Sequence, residues 1–466
     1  MIIRRLLIAN RGEIAARIIR TCRRLGIETV LAASDADLES VPARLADRTI
    51  RIGPAPSARS YLDIAAVVRA AKAARVDAVH PGYGFLSENA QFARACDEAG
   101  IVFIGPTAEQ LEAVGDKLRA REHAIAAGIP VVPGGAVASV SEAQKLAERI
   151  GWPLLIKAVG GGGGRGMRPV REPAHLAEAI ELAMAEANTA FGDSRVYLER
   201  LVLSGRHVEV QILGDGRDVI HLGDRDCSIQ RRYQKLIEEA PAPELPDGLR
   251  QAMHAAAVAF GRRLAYRGLG TVEFLVDRER EEFYFLEMNA RIQVEHPVTE
   301  MVTGLDLVAE QIAVAQGQRL RLRQSDVVLS GHAIECRINA EDAALDFRPS
   351  PGTVTRAVFP AGAGIRIDTH IEVGAKVPPF YDSLLAKLIV HGADRTQCLE
   401  RLRRALANCR IEGVTTNLAM HAAVAGSEEF ARGGVDTQWF ARFWQHVAGG
   451  GGKAEAEASR AGGNHG

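Results

Sequence analysis

A chain of 466 residues has room for about three domains at roughly 150 residues each. With 47% hydrophobic and 25% charged residues it has an ordinary globular composition, which excludes wholesale disorder. Basic and acidic side chains (57 against 58) leave a net charge of −1, so no global field draws the chain to nucleic acid or an anionic membrane.

The opening carries arginines and a few apolar residues, but Arg11 and Glu13 cut it short; it is a poor signal peptide, no later apolar run reaches the ~18–20 residues of a membrane helix, and the expected compartment is the cytosol. A strand is predicted at 5–9, then a helix with Ile14, Ile18, Cys22 and Leu25 on one face, then a strand at 28–33. Strand-like runs at 77–79 and 101–104 alternate with helical stretches at 63–74 and 90–99, the pattern of a parallel sheet. A helix at 116–128 ends before Pro130 and Pro133. A second unit follows: helix 141–150, strand 153–157, a glycine loop, helix 175–188 and strand 196–200. A third begins near His207 with alternating strands, a helix at 247–266, a hairpin at 271–289 and a helix at 305–316. At Gly331 the texture changes to short strands with Gly and Pro turns, then helices at 395–407 and 416–425, which reads as a separate α+β unit. The stretch 449–466 has no apolar periodicity and reads as a flexible tail. Six scattered cysteines without C-x-x-C spacing, and no H-E-x-x-H, argue against disulfides and zinc.

The strongest local signal is Glu287-Met288-Asn289-Ala290-Arg291-Ile292-Gln293-Val294-Glu295, polar at odd positions and apolar at even ones. If extended, it points Glu287, Asn289, Arg291, Gln293 and Glu295 one way and packs the rest inward. Alternation alone is better explained by an amphipathic strand with a solvated face. The partner strand sharpens the reading, because pairing symmetric about residue 280 sets Glu273 opposite Glu287. Like charges directly opposite are destabilising unless something positive lies between them. A divalent cation with Asn289 as a third ligand fits, and Mg2+ typically takes one or two carboxylates plus phosphate oxygens, so the hairpin points to a metal–nucleotide site.

Between Lys157 and Met167 lie six glycines that formally satisfy G-x-G-x-x-G. A strand-like Met167-Arg168-Pro169-Val170 follows where a dinucleotide fold needs a helix, and no P-loop motif occurs anywhere. A flap whose backbone N–H groups close over phosphates remains, set against the plainer reading of a floppy linker. Only eight of the 57 basic residues are lysines, which draws notice to Lys117 and Lys157, since lysine and arginine are not interchangeable at a phosphate. The stretch from Asp224 to Lys235 reads as a solvated charged loop, and His80 to Asn89 as a tight surface loop. Arg337 carries no local signal of its own.

Taken in order, Ala9-Asn10-Arg11-Gly12-Glu13-Ile14-Ala15, the 80–89 loop, Gly115-Asp116-Lys117, the glycine flap, Arg206-His207-Val208-Glu209, 230–235, 287–299 and Phe380-Tyr381-Asp382-Ser383-Leu384-Leu385-Ala386-Lys387-Leu388 resemble the biotin carboxylase component of biotin-dependent carboxylases, an ATP-grasp family, over nearly everything to residue 446. The resemblance implies an α/β and α+β multidomain ATP-grasp fold. Its parts would be an N-terminal Rossmann-like domain (1–114), an ATP-grasp domain (115–330) with a mobile lid (131–203), a C-terminal α+β domain (331–446) and the tail (447–466). It implies ATP contacts from Lys117, Lys157, His207, Gln230, Met167 and the flap glycines Gly162, Gly163 and Gly164, with Glu199, Arg200 and Val202 as the adenine-side hinge. It assigns two ions of Mg2+ or Mn2+ to Glu273, Glu287 and Asn289, bicarbonate to Arg291, Gln293 and Val294, and the general base to Glu295. Lys235 would stabilise carboxyphosphate, and Arg337 and Tyr83 would face biotin. Tyr233 stands where members commonly carry His. No Met-Lys-Met biotinylation segment occurs, so biotin is expected on a separate biotin carboxyl carrier protein. Carboxyltransferase subunits would act downstream, acetyl-CoA in fatty acid synthesis is the default acceptor, and a homodimer is the common assembly. Another ATP-grasp ligase, making an acyl phosphate for an amine, would use the same lysines, flap and hairpin; the 291–296 segment and Arg337 separate the two. A nucleotide sensor without turnover fits poorly with intact Glu273, Glu287, Glu295 and Arg291.

Overall fold

The computed structural model describes residues 2–158, 167–191 and 194–448, so Gly162, Gly163, Gly164 and the stretch from 449 onward lie outside the described residues. The first unit is a five-stranded parallel sheet in the order Arg48–Gly53, Glu28–Ser34, Arg5–Ile8, Ala78–His80, Val102–Phe103. Parallel neighbours require crossovers, which the helices Gly12–Arg24, Ile64–Ala74 and Ala90–Glu98 supply. Leu6, Leu7 and Ile8 are fully buried, as expected of a strand covered on both faces. Ile14, Ile18 and Cys22 pack together as their spacing predicts, whereas Leu25 forms the C-cap of its helix and is exposed.

The helix expected at 116–128 is present as Lys117–Ala126, and a further helix, Ala108–Gly115, precedes it. Asp116 divides them. Its carboxylate accepts the N–H groups of Leu118 and Arg119 at 2.9 and 3.0 Å and caps the second helix, which makes Lys117 its first residue. The preceding helix starts at a reciprocal capping box formed by Thr107 and Gln110.

A small lobe follows, built on an antiparallel sheet in the order Gly134–Val137, Val196–Arg200, Leu154–Ala158, Arg168–Val170, with helices Val140–Ile150 and Leu176–Phe191 packed on it. Its buried apolar residues form a cluster of their own, so the lobe has an independent core. The main body reaches it through the Phe285 N–H, which donates to the Pro130 carbonyl at 2.8 Å, and through Arg200, which donates to the Tyr284 hydroxyl.

The main body is an eight-stranded sheet in the order Glu282–Asn289, Arg267–Asp277, Gly205–Asp215, Val219–Arg231, Gln234–Ala240, His332–Asn339, Leu384–Gly392, Ile365–Thr369. The texture change at Gly331 marks a change of core, since residues from Ile334 to Phe440 gather in one cluster. It does not mark a break in the sheet, because His332–Asn339 pairs with Gln234–Ala240. The α+β region is thus continuous with the third unit, and Lys235 and Arg337 come to lie on adjacent strands.

The stretch from Asp224 to Lys235 is not a solvated loop. It forms strand Val219–Arg231, a two-residue turn, and the start of the next strand. Asp224, Arg225, Asp226, Cys227, Ser228 and Gln230 are all buried. Arg232 and Tyr233 take φ of 49° and 66°, the doubly positive geometry that matches the twist of a tight hairpin. All six cysteines are buried thiols, and no helix among the described residues is long and apolar enough to cross a membrane.

Candidate active site

A cleft of about 1650 Å³ opens between the small lobe, the first unit and the eight-stranded sheet. From the lobe come Lys157, Met167, Glu199 and Arg200; Val202 lines it where the chain returns to the main sheet. Lys157 is ion-paired with Glu199 on the neighbouring strand. Lys117 projects from the start of its helix, 4.0 Å from Glu287. His207 and Gln230 are joined, with Gln230 Nε2 2.7 Å from His207 Nδ1 and donating to the Cys227 carbonyl at 2.7 Å.

The hairpin sets Glu273 directly opposite Glu287, as the symmetric pairing predicts, and a bulge immediately beyond Glu273 shifts the remaining pairs by one residue. Asn289 Nδ2 donates to Glu273 Oε1 at 2.8 Å, while its Oδ1 accepts from Arg291 Nη2 at 2.8 Å. Enclosure in the cleft and the Glu273 charge both raise the Glu287 pKa, with Lys117 opposing them. Glu273 is lowered, because Lys235 and His207 outweigh the effect of its burial. Ligand atoms of His207, Glu209 and Glu273 also lie within 4.8 Å of one another. Two facing carboxylates, one of them poorly compensated, form a hard oxygen donor set that fits a divalent cation.

The extended reading of 287–295 holds only in part. The strand ends at Asn289, Ala290 and Ile292 are buried as alternation requires, but Gln293 and Glu295 are buried too. The chain bends there because Glu295 is the N-cap of helix His296–Thr303, whose Pro297 favours a first turn. The bend splits the predicted polar face. Arg291, Gln293 and Val294 stay on the cleft wall, whereas Glu295, fully buried, lies behind it. Arg291 donates to Glu88 Oε2 at 2.8 Å and to Gln293 Oε1 at 2.9 Å, and the Gln293 Nε2 has no hydrogen-bond partner.

Lys235 is the hub. Its ammonium donates to Glu209 at 2.6 Å, Glu273 at 3.0 Å and Glu295 at 2.6 Å. Burial would lower its pKa, but Cys227 and these carboxylates hold it well above the usual value. Arg337 donates from Nε to Glu238 at 2.6 Å and from Nη2 to Glu295 at 2.8 Å. Glu295 is therefore an anion throughout the neutral range: burial works to raise it, and Lys235, Arg337 and Arg225 hold it far down. Tyr83 donates to Glu13, Glu13 is paired with the fully buried Lys387 at 3.0 Å, and Lys387 donates to the Val294 carbonyl at 2.8 Å.

The structure thus brings together on one cleft every described residue singled out from the sequence except Glu295, which lies directly beneath. Sequence reasoning missed Glu88, Glu209, Glu238, Glu13 and Lys387 as supports. Two of these left a trace: Glu209 lies two residues from His207 on the same strand face, and Lys387 is a lone lysine in an apolar run. The 80–89 loop is no mere surface turn. Its Glu88 anchors Arg291, and Asn10 holds it by donating to the Pro81 and Tyr83 carbonyls, both at 2.7 Å.

Three family models match in succession: the biotin carboxylase N-terminal domain over residues 2–111, the carbamoyl-phosphate synthase L chain ATP-binding domain over 116–323, and the biotin carboxylase C-terminal domain over 335–442. The chain is 52% identical over 438 residues to a biotin carboxylase of Nostoc sp., covering 93% of this chain and 98% of that one. A Campylobacter jejuni biotin carboxylase crystallised as a β,γ-ATP complex superposes with a TM-score of 0.90 at 45% identity, covering 95% and 99% of the two chains. The biotin carboxylase domain dimer of Hydrogenobacter thermophilus 2-oxoglutarate carboxylase, in complex with MgADP, ADP and bicarbonate, gives 0.89 at 43% identity over 96% and 98%.

Proposed function

The chain belongs to the biotin carboxylase family, the ATP-dependent carboxylating enzymes of biotin-dependent carboxylases, and on that premise we propose a division of labour among its own residues. The observation that carries it is the Arg291–Gln293 pair: a guanidinium and an unpartnered amide N–H on the cleft wall, at the end of a loop that delivers Glu295. Such a pair suits a small planar oxyanion. Bicarbonate is a weak nucleophile, so holding it here, with Glu295 taking its proton as it attacks the γ-phosphorus of ATP, lowers the cost of forming carboxyphosphate. Lys117 and Lys157 would bind the phosphates, with Lys157 exchanging Glu199 for the nucleotide. Lys235 stabilises carboxyphosphate, and the small lobe, with its separate core, closes to exclude water from that short-lived species. Carboxyphosphate then breaks down to CO2 and phosphate. Phosphate takes the ureido proton of biotin, the ureido nitrogen takes up CO2, and Arg337 with Tyr83 faces the biotin enolate.

Glu273, Glu287 and Asn289 would hold Mg2+ or Mn2+, which when bound offsets negative charge on the phosphates. The Asn289 amide would have to rotate to present its oxygen. Glu287→Gln should raise the Mg2+ concentration for half-maximal activity by at least the ~10–100-fold that even an outer-shell partner is worth. Folding should be little affected, because the change removes a like-charge repulsion; a Mg2+ titration of ATP cleavage reads the effect, and an unshifted midpoint would remove Glu287 from the site.

Biotin is taken to arrive on a separate carrier protein, with carboxyltransferase subunits downstream and acetyl-CoA as acceptor; the 2-oxoglutarate carboxylase likeness supports the alternative of a 2-oxo acid. A dimer of identical chains is supported by the dimeric Hydrogenobacter domain. The primary test is phosphate release from Mg-ATP. A rate that requires bicarbonate and rises with free biotin is the expected result, whereas hydrolysis indifferent to both overturns the reading in favour of a carboxylate–amine ligase.

A further inference from the structure

Strand Gln234–Ala240 sets Glu238 directly opposite Glu335 of strand His332–Asn339. Both side chains are fully buried, on the sheet face where Ala333 and Ile389 pack against Val298 and Val302 of helix His296–Thr303. Neither carboxyl oxygen of Glu335 has a hydrogen-bond partner, and neither does Oε2 of Glu238. Two facing carboxylates in such a place are costly unless a cation or a proton intervenes.

The cations nearby are committed. Arg337, on the same strand as Glu335, spans Glu238 and Glu295. Lys387, on the other neighbouring strand, is paired with Glu13 and the Val294 carbonyl. From the helix side come Glu295, His296 and Glu300. His296 is held neutral by its burial and by Lys387, while Glu300 is occupied by Arg17 and Arg366. One proton between Glu335 and Glu238 Oε2 would turn two unpartnered acceptors into a donor and an acceptor.

We propose that Glu335 and Glu238 share a single proton, and that this acid pair is a positioning device that holds Arg337, and through it Glu295, where turnover needs them. Its catalytic consequence rests on the reaction proposed above; its existence does not. Burial pushes Glu238 up to about 7 against the pull of Arg337, and pushes Glu335 up well above the usual carboxylate range. Both carboxyls are thus raised, so the proton is held at low pH and lost as pH rises. Its loss adds a second negative charge beside the Arg337 Nε, drawing the guanidinium towards the strands and away from Glu295 and the cleft.

The test uses the whole purified chain. Infrared spectra in D2O should show a protonated-carboxyl C=O stretch that persists near neutrality, titrates away at mildly alkaline pH and is missing in Glu335→Gln; a wild-type protein without that band at mildly acidic pH overturns the proposal, even if the variant fails to fold. In kinetics, Glu335→Gln carries a permanent donor and should flatten the alkaline fall of biotin-stimulated kcat with the KM for ATP unchanged. Glu238→Gln, which removes the charge facing Arg337, should lower that kcat roughly tenfold, the scale of one charge-assisted hydrogen bond, again without moving the KM for ATP. A Glu335→Gln profile superimposable on wild type overturns the positioning role. A titrating band in a protein that biotin never stimulates would keep the pair and fail the biotin carboxylase reading, so the two failures are distinguishable.

Discussion

Glu295→Gln should reduce bicarbonate-dependent ATP cleavage by about 10²–10⁴, the span ascribed to a positioned general base, while the KM for ATP stays within a few-fold of wild type. Glutamine keeps the shape, but its one carbonyl oxygen can accept from only one of Lys235 and Arg337; Lys235 retains Glu209 and Glu273 as counter-charges and Arg337 retains Glu238, so the fold should survive. The resting geometry raises a difficulty that makes the prediction informative. Glu295 is held so far below its usual pKa that, as it stands, it is a weak base. Bicarbonate and the ATP phosphates are anions that would draw Lys235 and Arg337 towards the cleft, and each cation that turns away from Glu295 raises its basicity. The base would thus be switched on by the substrates it serves. Residual ATP cleavage in the variant should no longer respond to bicarbonate; a response of wild-type size would move the base elsewhere.

Much of this was readable in the sequence, and the limits have physical causes. The opposition of Glu273 and Glu287 followed from counting outward from a turn, because antiparallel pairing is a local rule. Period-2 alternation was trusted six residues too far: it knows nothing of the helix that starts at His296 and recruits Glu295 as its N-cap. Charge density between Asp224 and Lys235 suggested solvent, but Arg225, Asp226 and Lys235 have buried partners on other strands and Asp224 pairs with Arg250 and His254 of a helix, so that only Arg231 and Arg232 at the turn reach an exposed partner, Asp346. Arg225 meets Glu209, Gln211, Thr271 and Thr299. Long-range pairing of this kind leaves no mark on local composition. Arg337 is the extreme case, since only the unbroken sheet places it beside Lys235, and only the family resemblance gave it a role beforehand.

Lys235→Met follows from that same buried network and should disrupt both stability and activity. Three carboxylates, Glu209, Glu273 and Glu295, share the one ammonium, and breaking a buried pair by removing one partner typically costs about 3–5 kcal/mol. Activity should fall by about 10²–10³, the scale of a lost transition-state donor, even where folded protein is recovered. The pH dependence identifies the cause. In the wild type Glu273 and Glu295 lie below their ordinary 4.5, so their contribution to stability is present above that value and is lost as pH falls through the depressed values. Without Lys235 the largest influence holding Glu273 and Glu295 down is gone, leaving His207 for the one and Arg337 and Arg225 for the other to oppose burial, so both values rise and both residues contribute less stability above 4.5. Wild type should therefore lose stability as pH falls below about 4.5, and the variant, with less of this contribution to lose, should fall less steeply. Mg2+ should also stabilise the variant more than the wild type, since a cation bound at Glu273 replaces part of the missing charge. Urea midpoints measured across pH, with and without Mg2+, decide it. A variant that simply runs parallel to wild type at every pH would mean that Lys235 acts through packing rather than as the shared counter-ion of the site.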